Sequence, residues 1–187
     1  MARPKQFDPD VAVEQAMEVF WQKGYAATTP QNLADALGIG MGSLYNTFGS
    51  KHALFGQALS RYIDVRLRSL AELLEGPAPV KERLRKALEF MADEGVRGCM
   101  VVNTAGELAG TDETAVRVVR RDFDLTEGVF QALIEEGQRS GEIDLDRDPV
   151  ALGSLLLNTM VGLRLLARIE EGPDRLHRVI DATIDSL

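Results

Sequence analysis

Cysteine is nearly absent from this sequence, since Cys99 is the only one among 187 residues. A single thiol excludes an intramolecular disulfide framework and a cysteine-rich zinc site, and it suits a reducing compartment. The first ten residues also lack the apolar run of a signal peptide. The segment 150–169 is apolar and long enough to span a bilayer, but Arg164 and Arg168 would be costly at membrane depth. We therefore expect a cytoplasmic protein that has no membrane partner.

Catalytic motifs are scarce as well. The chain contains only two histidines, His52 and His177, and it has neither a glycine-rich phosphate loop nor an HExxH zinc motif. Acidic residues are abundant, but they do not show the spacing of metal ligands. We therefore expect no enzyme activity, no catalytic residue, no metal site and no cofactor.

Alternating strand patterns are also lacking, whereas helix signals are frequent. Asp8-Pro9 and Thr29-Pro30 each combine an N-cap residue with a proline at the first helical position, and Gly38 is a typical C-terminal glycine. The predicted helices are 9–23, 30–37, 41–48 and 51–74 and, after the proline-rich linker 75–79, 80–94, 99–110, 112–141, 149–169 and 173–187. The sequence thus predicts an all-α protein of about nine helices. Its long fourth helix joins an N-terminal domain, 1–55, to a larger helical body, 56–187.

The net charge of -8 argues against nucleic-acid binding at first sight. The charge is unevenly distributed, however. Residues 1–70 contain seven Lys/Arg and six Asp/Glu, which gives +1, and the remaining residues carry -9. The acidic character therefore belongs to the C-terminal part, and a local basic surface near the N-terminus can still meet phosphate.

The stretch LADALGIGMGSLYNTFGSK, residues 33–51, matches a helix-turn-helix, with two short helices joined by a tight turn. Gly38 tolerates the positive φ of such a turn. Ile39 is the apolar plug between the helices, while Leu44 and Phe48 pin the second helix to the first. The side chains left on or near the outer face are Met41, Gly42, Ser43, Tyr45, Asn46 and Thr47. Short polar groups of this kind suit base edges and phosphates, whereas an ordinary packing helix, the alternative, would favour Ala, Leu and Glu there.

The run FWQKGYAATTPQNLADALGIGMGSLYNTFGSKHALF, residues 20–55, resembles the N-terminal domain of the tetracycline-repressor (TetR) family. The resemblance covers about the first third of the chain. It implies a homodimeric, all-helical transcriptional regulator, usually a repressor, that a small ligand releases from operator DNA. By position, it implies that residues 41–47 form the recognition helix and that Tyr45 and Lys51 contact phosphate. It also implies that Thr28 contacts the DNA backbone and that Arg3 and Lys5 form a flexible basic arm.

One feature departs from the most frequent pattern of base recognition. The predicted recognition helix contains no arginine, the residue that most often makes a bidentate contact with guanine. Base readout is therefore expected to depend on Ser, Asn and Thr contacts, on the basic arm and on DNA shape. An activator built on the same scaffold is the alternative to a repressor.

The last two predicted helices are candidates for the dimer surface. Segment 149–169 is apolar almost all round, and such a helix must be covered on several sides. In the resembled family the last two long helices of each subunit form a four-helix dimer interface, and the residues that fit this role are Leu152, Leu156, Val161, Gly162, Leu165, Val179, Ile180 and Thr183. Two recognition helices must lie about 34–36 Å apart to enter successive major grooves, which requires a dimer and a near-palindromic site. The alternative is the central helix of a monomer.

The stretch GVRGCMVVNTAGELA, residues 95–109, is the most distinctive part of the C-terminal body. Cys99, Asn103 and Glu107 recur at every fourth residue and would line one side of a pocket for an unidentified small-molecule effector. The predicted remainder of this pocket is Phe90, Met91, Phe123, Phe130, Met160 and Asn158. In one alternative Cys99 is a core residue, and Asn103 and Glu107 bond between helices. In another, Cys99 senses oxidants or electrophiles, because a helix N-terminus favours the thiolate.

Overall fold

The structure is a computed structural model that describes residues 7–93 and 97–187. These residues form nine helices and no strand. The helices are α1 (Pro9–Lys23), α2 (Pro30–Leu37), α3 (Met41–Phe48), α4 (Lys51–Leu74), α5 (Val80–Asp93), α6 (Met100–Leu108), α7 (Glu113–Ser140), α8 (Pro149–Leu166) and α9 (Asp174–Asp185). The predicted all-α architecture is confirmed, and Arg3 and Lys5 of the predicted basic arm lie outside the described residues.

Local capping chemistry sets the helix ends as the sequence predicts. The Asp8 carboxylate accepts a hydrogen bond from the Asp10 amide at the start of α1. Thr29 and Asn32 form a reciprocal capping box at the start of α2. Gly38 ends α2 in the left-handed region, with φ of 62°. The left-handed conformation of Gly38 therefore determines the direction of the turn before α3.

A first hydrophobic core combines α1–α4 with α6 and the start of α7. Its deeply buried members include Ala16, Phe20, Leu33, Leu54, Ala58, Leu59, Cys99 and Val101. The helix-turn-helix unit is thus held by residues from both the N-terminal and the C-terminal parts of the chain. The predicted domain boundary between residues 55 and 56 falls inside this core and not between two cores.

A second core lies farther from the N-terminus and combines the end of α4 with α5, α7, α8 and α9. Its deeply buried members include Leu84, Leu88, Met91, Phe130, Ile134, Leu156, Met160 and Ile180. Because α4 contributes residues to both cores, this helix connects the helix-turn-helix unit rigidly to the C-terminal body.

A buried ion pair joins α4 to α7 between the two cores. The Arg66 guanidinium donates to the Asp122 carboxylate and to the Thr126 hydroxyl, and both charged side chains are almost fully buried. The Asp122 Oδ2 atom has no hydrogen-bond partner among the described residues. Breaking such a pair by removing one partner is costly, because it leaves a buried charge uncompensated.

Helix α8 is apolar on two faces. One face, with Leu152, Leu156 and Leu163, is buried against α5, α7 and α9. A second face, here termed the α8 stripe, comprises Ala151, Leu155, Asn158, Gly162 and Leu165 and is exposed or partly exposed. Among the described residues, α8 is the one helix whose length and composition would allow it to cross a membrane. In the structure, 33% of this segment is buried.

The structure corrects half of the predicted dimer surface. The predicted interface residues that are buried in the protomer's own second core are Leu152, Leu156, Ile180 and Thr183. A partner subunit cannot reach these side chains, so their assignment to the interface is wrong. Val161, Gly162 and Val179 are partly exposed, and Leu165 is 55% exposed. The error arose because the sequence shows that α8 is apolar all round but does not show which face the chain itself covers.

Candidate nucleic-acid interface

Helices α2 and α3 form the two arms of a helix-turn-helix. Leu33 and Leu44 are buried in the first core and hold the two helices against α1 and α4. Ile39 is partly buried between them, and its amide donates to the Ala34 carbonyl. Phe48 anchors the end of α3 in the same core. The angle of α3 is therefore set by apolar contacts on one side, which leaves its other side free.

The outer side of α3 consists of exposed polar and small residues. Gly42, Ser43, Asn46 and Thr47 are exposed, Tyr45 is 42% exposed and Met41 is half-buried. Gly40, the N-cap of α3, has no side chain that could occupy the first amides of the helix. This face presents hydroxyl, amide and phenol groups in one direction, which suits contacts to phosphates and base edges. DNA contact by these residues stays a prediction.

The α1–α2 turn, residues 24–28, precedes this unit and is held tightly by its own backbone contacts. The Thr28 hydroxyl donates to the Gly24 carbonyl at 2.6 Å, and the Thr28 side chain is fully buried. The predicted DNA contact by this side chain is therefore wrong. Its hydroxyl donates its hydrogen bond inside the turn. The sequence does not reveal this role, because the acceptor is a backbone oxygen.

Lys51 points toward the same turn. Its ammonium group donates to the Tyr25 and Thr28 carbonyls, at 2.8 Å each, and lies 4.2 Å from the centroid of the Tyr25 ring. Two carbonyl acceptors and an aromatic face account for most of the ammonium's bonding capacity. In the structure Lys51 thus joins the start of α4 to the turn before α2, and its predicted phosphate contact stays a prediction.

Glu107 of α6 holds the other side of the turn. Its two carboxylate oxygens accept hydrogen bonds from the Tyr25 amide at 2.9 Å and the Ala26 amide at 2.6 Å. The fit is close, because a Cβ at Gly24 would lie 2.9 Å from a Glu107 oxygen. Lys51 therefore binds the carbonyls of the turn and Glu107 binds its amides. We call this arrangement the turn clamp.

A second polar contact between the two parts of the chain lies beside the turn clamp. The His52 ring nitrogen is 2.7 Å from an Asp112 carboxylate oxygen. Hydrogen bonds from the Ala115 amide, then from His52 and the Thr114 amide, lower the pKa of Asp112. A depressed carboxyl pKa stabilises the fold above the unfolded-state pKa, and this contribution is lost as the pH falls through the folded-state value.

The N-terminal end of α6 is attached to α1. The Trp21 indole donates to the Gly98 carbonyl at 2.7 Å, and the Arg97 guanidinium stacks 4.2 Å from the Trp21 ring. Arg97 also pairs with Glu18 at 2.8 Å. Helix α6 therefore contacts the DNA-binding unit at both of its ends. Sequence reasoning missed these contacts, because their partners are about 80 residues apart along the chain.

Both parts of the chain match known family models. Residues 12–58 match "Bacterial regulatory proteins, tetR family", and residues 76–183 match "Tetracyclin repressor-like, C-terminal domain". An uncharacterised HTH-type transcriptional regulator of Bacillus subtilis, YezE, is 31% identical over the full length of both chains. The Escherichia coli repressor ComR is 28% identical over 97% of this chain and 90% of its own.

A solved structure agrees in sequence and in fold. A cysteine mutant of the TetR-family regulator CifR, in complex with 26-base-pair double-strand operator DNA, has a TM-score of 0.85 and 29% identity over 99% of each chain. The chain belongs to the TetR family. As a TetR-family protein it is a DNA-binding transcriptional regulator, which is a non-enzymatic class.

The residues predicted for the effector pocket of this TetR-family regulator lie in different parts of the structure. Met91, Phe130 and Met160 are fully buried in the second core, and Cys99 and Phe123 belong to the first. Phe90 and Asn158 lie on the surface. These predicted pocket residues are therefore divided between the two cores and the surface, and their joint role in binding an effector stays a prediction.

The polar residues predicted for the pocket make contacts between helices instead. Asn103 donates to the Arg97 carbonyl at 3.2 Å and accepts from Arg168 at 2.8 Å, while Glu107 belongs to the turn clamp. Both residues line an open groove of about 380 Å³ between α1, α6 and the end of α8. Their shared helix face was predicted correctly. What that face contacts could not be inferred from the sequence, because it depends on helices distant in the chain.

The turn clamp generates a test that separates a structural lysine from a phosphate contact. Replacing Lys51 with Met removes two hydrogen bonds from a charged donor, so the free energy of unfolding should fall by about 1.5–3 kcal/mol. The slope of log K against log salt for operator binding should stay unchanged, whereas losing a phosphate contact would reduce it by about 0.9. Urea unfolding and salt-dependent fluorescence anisotropy measure the two quantities. Lys23→Met, at the exposed end of α1, is the control, and a stable Lys51→Met protein with a reduced salt slope would contradict the structural role.

Proposed function

We propose that this TetR-family protein is a homodimeric cytoplasmic repressor that binds a near-palindromic operator and is released by a small-molecule effector. The observation that carries the proposal is the outer face of α3, where exposed polar side chains stand on a helix anchored from behind by Leu44 and Phe48. The names of ComR, a repressor, and of the operator-bound CifR variant support the same assignment.

Dimerisation is supported by the α8 stripe. Its members follow one another at alternating steps of four and three residues, the spacing of a helix seam that packs against another helix. Leu155 and Leu165 are 39% and 55% exposed there, and Ile169, directly beyond the helix, is 74% exposed. A seam of this kind on a soluble regulator requires a cover. A second copy of the chain covers it symmetrically when the two α8 helices pack against each other.

Release from DNA is proposed to act through α4 and α6. Both helices contact the unit that presents α3: α4 through the first core and Lys51, and α6 through Glu107 and Trp21. An effector that favours another arrangement of these helices changes the distance between the two copies of α3. The free energy by which the effector shifts the equilibrium equals the difference between its binding free energies for the two arrangements.

In vitro selection of bound DNA by the full chain tests the function. We expect enrichment of a near-palindrome whose half-sites lie about one helical turn, 34–36 Å, or a multiple of it apart. Tyr45→Ala should weaken binding to all sequences about equally, because a phenol on phosphate carries no base information. Asn46→Ala should change the preferred sequence. Failure to enrich any sequence would overturn the proposal, and identical preferences for Asn46→Ala and the native chain would refute base readout by Asn46.

The α8 stripe generates a separate prediction. Leu165→Glu places a charge in the proposed seam and should convert the dimer to a monomer at micromolar concentration, as measured by light scattering after gel filtration. Leu145→Glu is the matched control, because Leu145 is 76% exposed and lies outside the stripe. Operator affinity should fall with Leu165→Glu and stay unchanged with Leu145→Glu. A Leu165→Glu protein that remains dimeric would place the interface elsewhere.

Two alternatives are distinguished by simple additions to these experiments. Deleting the gene and measuring transcripts of its neighbours separates an activator from a repressor. For cysteine sensing, Cys99 is the N-cap of α6 without a side-chain capping bond, and its side chain is 2% exposed. Operator binding after mild peroxide, compared between the native chain and Cys99→Ser, decides whether this thiol takes part. The operator-bound CifR chain is itself a cysteine mutant.

A further inference from the structure

We propose that the open groove between α1, α6 and the end of α8 binds an aryl carboxylate, which ties the DNA-binding unit to the C-terminal body. The groove has a volume of about 380 Å³. Its described lining comes from α1, α6 and the end of α8 and includes no residue of α4 or α7. The function proposed above does not depend on this site, and the site does not depend on that function.

Arg168 is held in position at one side of the groove. Its aliphatic chain lies on Gly98, so closely that a Cβ at this glycine would be 2.6 Å from the Arg168 Cδ atom. Its Nη1 group donates to the Asn103 Oδ1 atom at 2.8 Å. Because both the chain and the head of Arg168 are in contact with the protein, little freedom remains to be lost when its guanidinium binds a ligand.

The other edge of this guanidinium keeps two donors. Within the part of the chain that the structure describes, the bond to Asn103 is the one hydrogen bond of Arg168, and no carboxylate forms an ion pair with it. The Nε and Nη2 groups lie on the same side of the guanidinium plane. Together they match the two oxygens of a carboxylate, which is the strongest kind of contact that an arginine makes.

The charges around the groove favour an anion. Lys23, in the last turn of α1, is exposed, lines the groove and forms no ion pair with a described residue. Glu107 is the one acidic residue of the described lining, and both of its oxygens already accept from amides of the α1–α2 turn. A carboxylate ligand therefore meets two cations and a single carboxylate that is already engaged.

The remaining walls of the groove are apolar or bare. Trp21, Val102 and Leu165 provide apolar surface, and Gly106 adds no side chain. No other side chain lies within 4 Å of the point where a Cβ of Gly106 would stand, so a flat ring has room there. Aromatic bodies bind well to walls of this kind. Leu165 also belongs to the α8 stripe, so a second copy packed on that stripe would border the groove at this edge.

A bound carboxylate would connect the two parts of the chain. Lys23 belongs to α1 of the DNA-binding unit, whereas Asn103 and Arg168 belong to the C-terminal body. The groove also borders the turn clamp, because Glu107 lines it. A ligand held from both sides thus opposes the separation of α1 from α6. The amides of the α1–α2 turn should open less often, and their hydrogen exchange should slow.

Three probes test the chemistry: 3-phenylpropanoate, its neutral analogue 3-phenylpropanamide, and acetate. Calorimetric titration of the full native chain, without DNA, should show binding of 3-phenylpropanoate. The amide should bind at least about tenfold more weakly, because it loses hydrogen bonds between charged groups. Acetate should also bind at least about tenfold more weakly, because it buries no ring. Equal binding of 3-phenylpropanoate and either other probe, or no binding of 3-phenylpropanoate, would overturn the proposal.

Matched arginine variants test the location. Arg168→Met keeps an unbranched chain on Gly98 but removes the guanidinium, so the dissociation constant for 3-phenylpropanoate should rise at least about tenfold. Arg178→Met is the control, because Arg178 is exposed on α9 and lies outside the groove lining. If the two variants bind 3-phenylpropanoate equally well, the groove is not the site.

A second variant covers the case in which Arg168→Met does not fold. Lys23→Met removes no hydrogen bond or ion pair to a described residue, and it should raise the dissociation constant about two- to fivefold, the effect of one exposed charge. The fluorescence of Trp21, the single tryptophan, should change with the same dissociation constant as the calorimetric signal. Native affinity in Lys23→Met, or calorimetric binding without a change in fluorescence, would place the ligand elsewhere.

Hydrogen exchange followed by mass spectrometry tests the connection between the two parts. Saturating 3-phenylpropanoate should slow exchange in the α1–α2 turn of the native chain and of Arg178→Met, but at the same ligand concentration it should slow it less in Arg168→Met. Binding that leaves exchange in this turn unchanged would refute the connecting role. None of these measurements uses DNA, so their failure would leave operator binding untouched, and failure to bind an operator would leave this site untouched.

Discussion

Helix α4 is shared by two hydrophobic cores, and this sharing constrains most of the molecule. Its first half buries Leu54, Ala58 and Leu59 with α1 and α6, and its second half buries Leu70 and Leu74 with α5 and α8. A straight helix cannot move one half without moving the other, since both are packed to the density of a protein interior. A change in the C-terminal body is therefore transmitted to the base of α3 through this helix.

The buried pair between Arg66 and Asp122 stands at the point where α4 passes from one core to the other. Apolar residues of similar volume would often stabilise such a position as well or better. A polar pair nevertheless fixes the register of α4 against α7, because only one alignment satisfies both groups. It also leaves the Asp122 Oδ2 atom buried without a hydrogen-bond partner among the described residues.

The turn clamp shows how a regulator can couple its two parts with few contacts. The α1–α2 turn has backbone amides and carbonyls that no helix satisfies, and buried or half-buried groups of this kind need partners. Lys51 and Glu107 supply those partners from different helices. A change in the position of α6 would therefore act on the turn that leads into α2 through Glu107.

The sequence by itself determined the elements and their kind. Proline and glycine positions set the helix ends, the LADALGIGMGSLYNTFGSK stretch predicted the helix-turn-helix, and its apolar residues predicted which face of α3 is buried. These features are local, so neighbouring residues carry the information. The partners of Thr28, Lys51, Asn103 and Glu107 were not predictable in this way, because they are backbone atoms or distant side chains.

Only the tertiary structure decided which apolar faces pack in the cores and which remain exposed. The sequence of α8 shows leucines on all sides, and packing assigns Leu156 to the core and Leu165 to the surface. Likewise, Phe130 and Met160 have side chains that suit an apolar pocket, but they lie in the second core. No sequence pattern singled out Asp122. Helix periodicity specifies a direction around one axis. The neighbour found in that direction is fixed by how nine helices share two cores within the described residues.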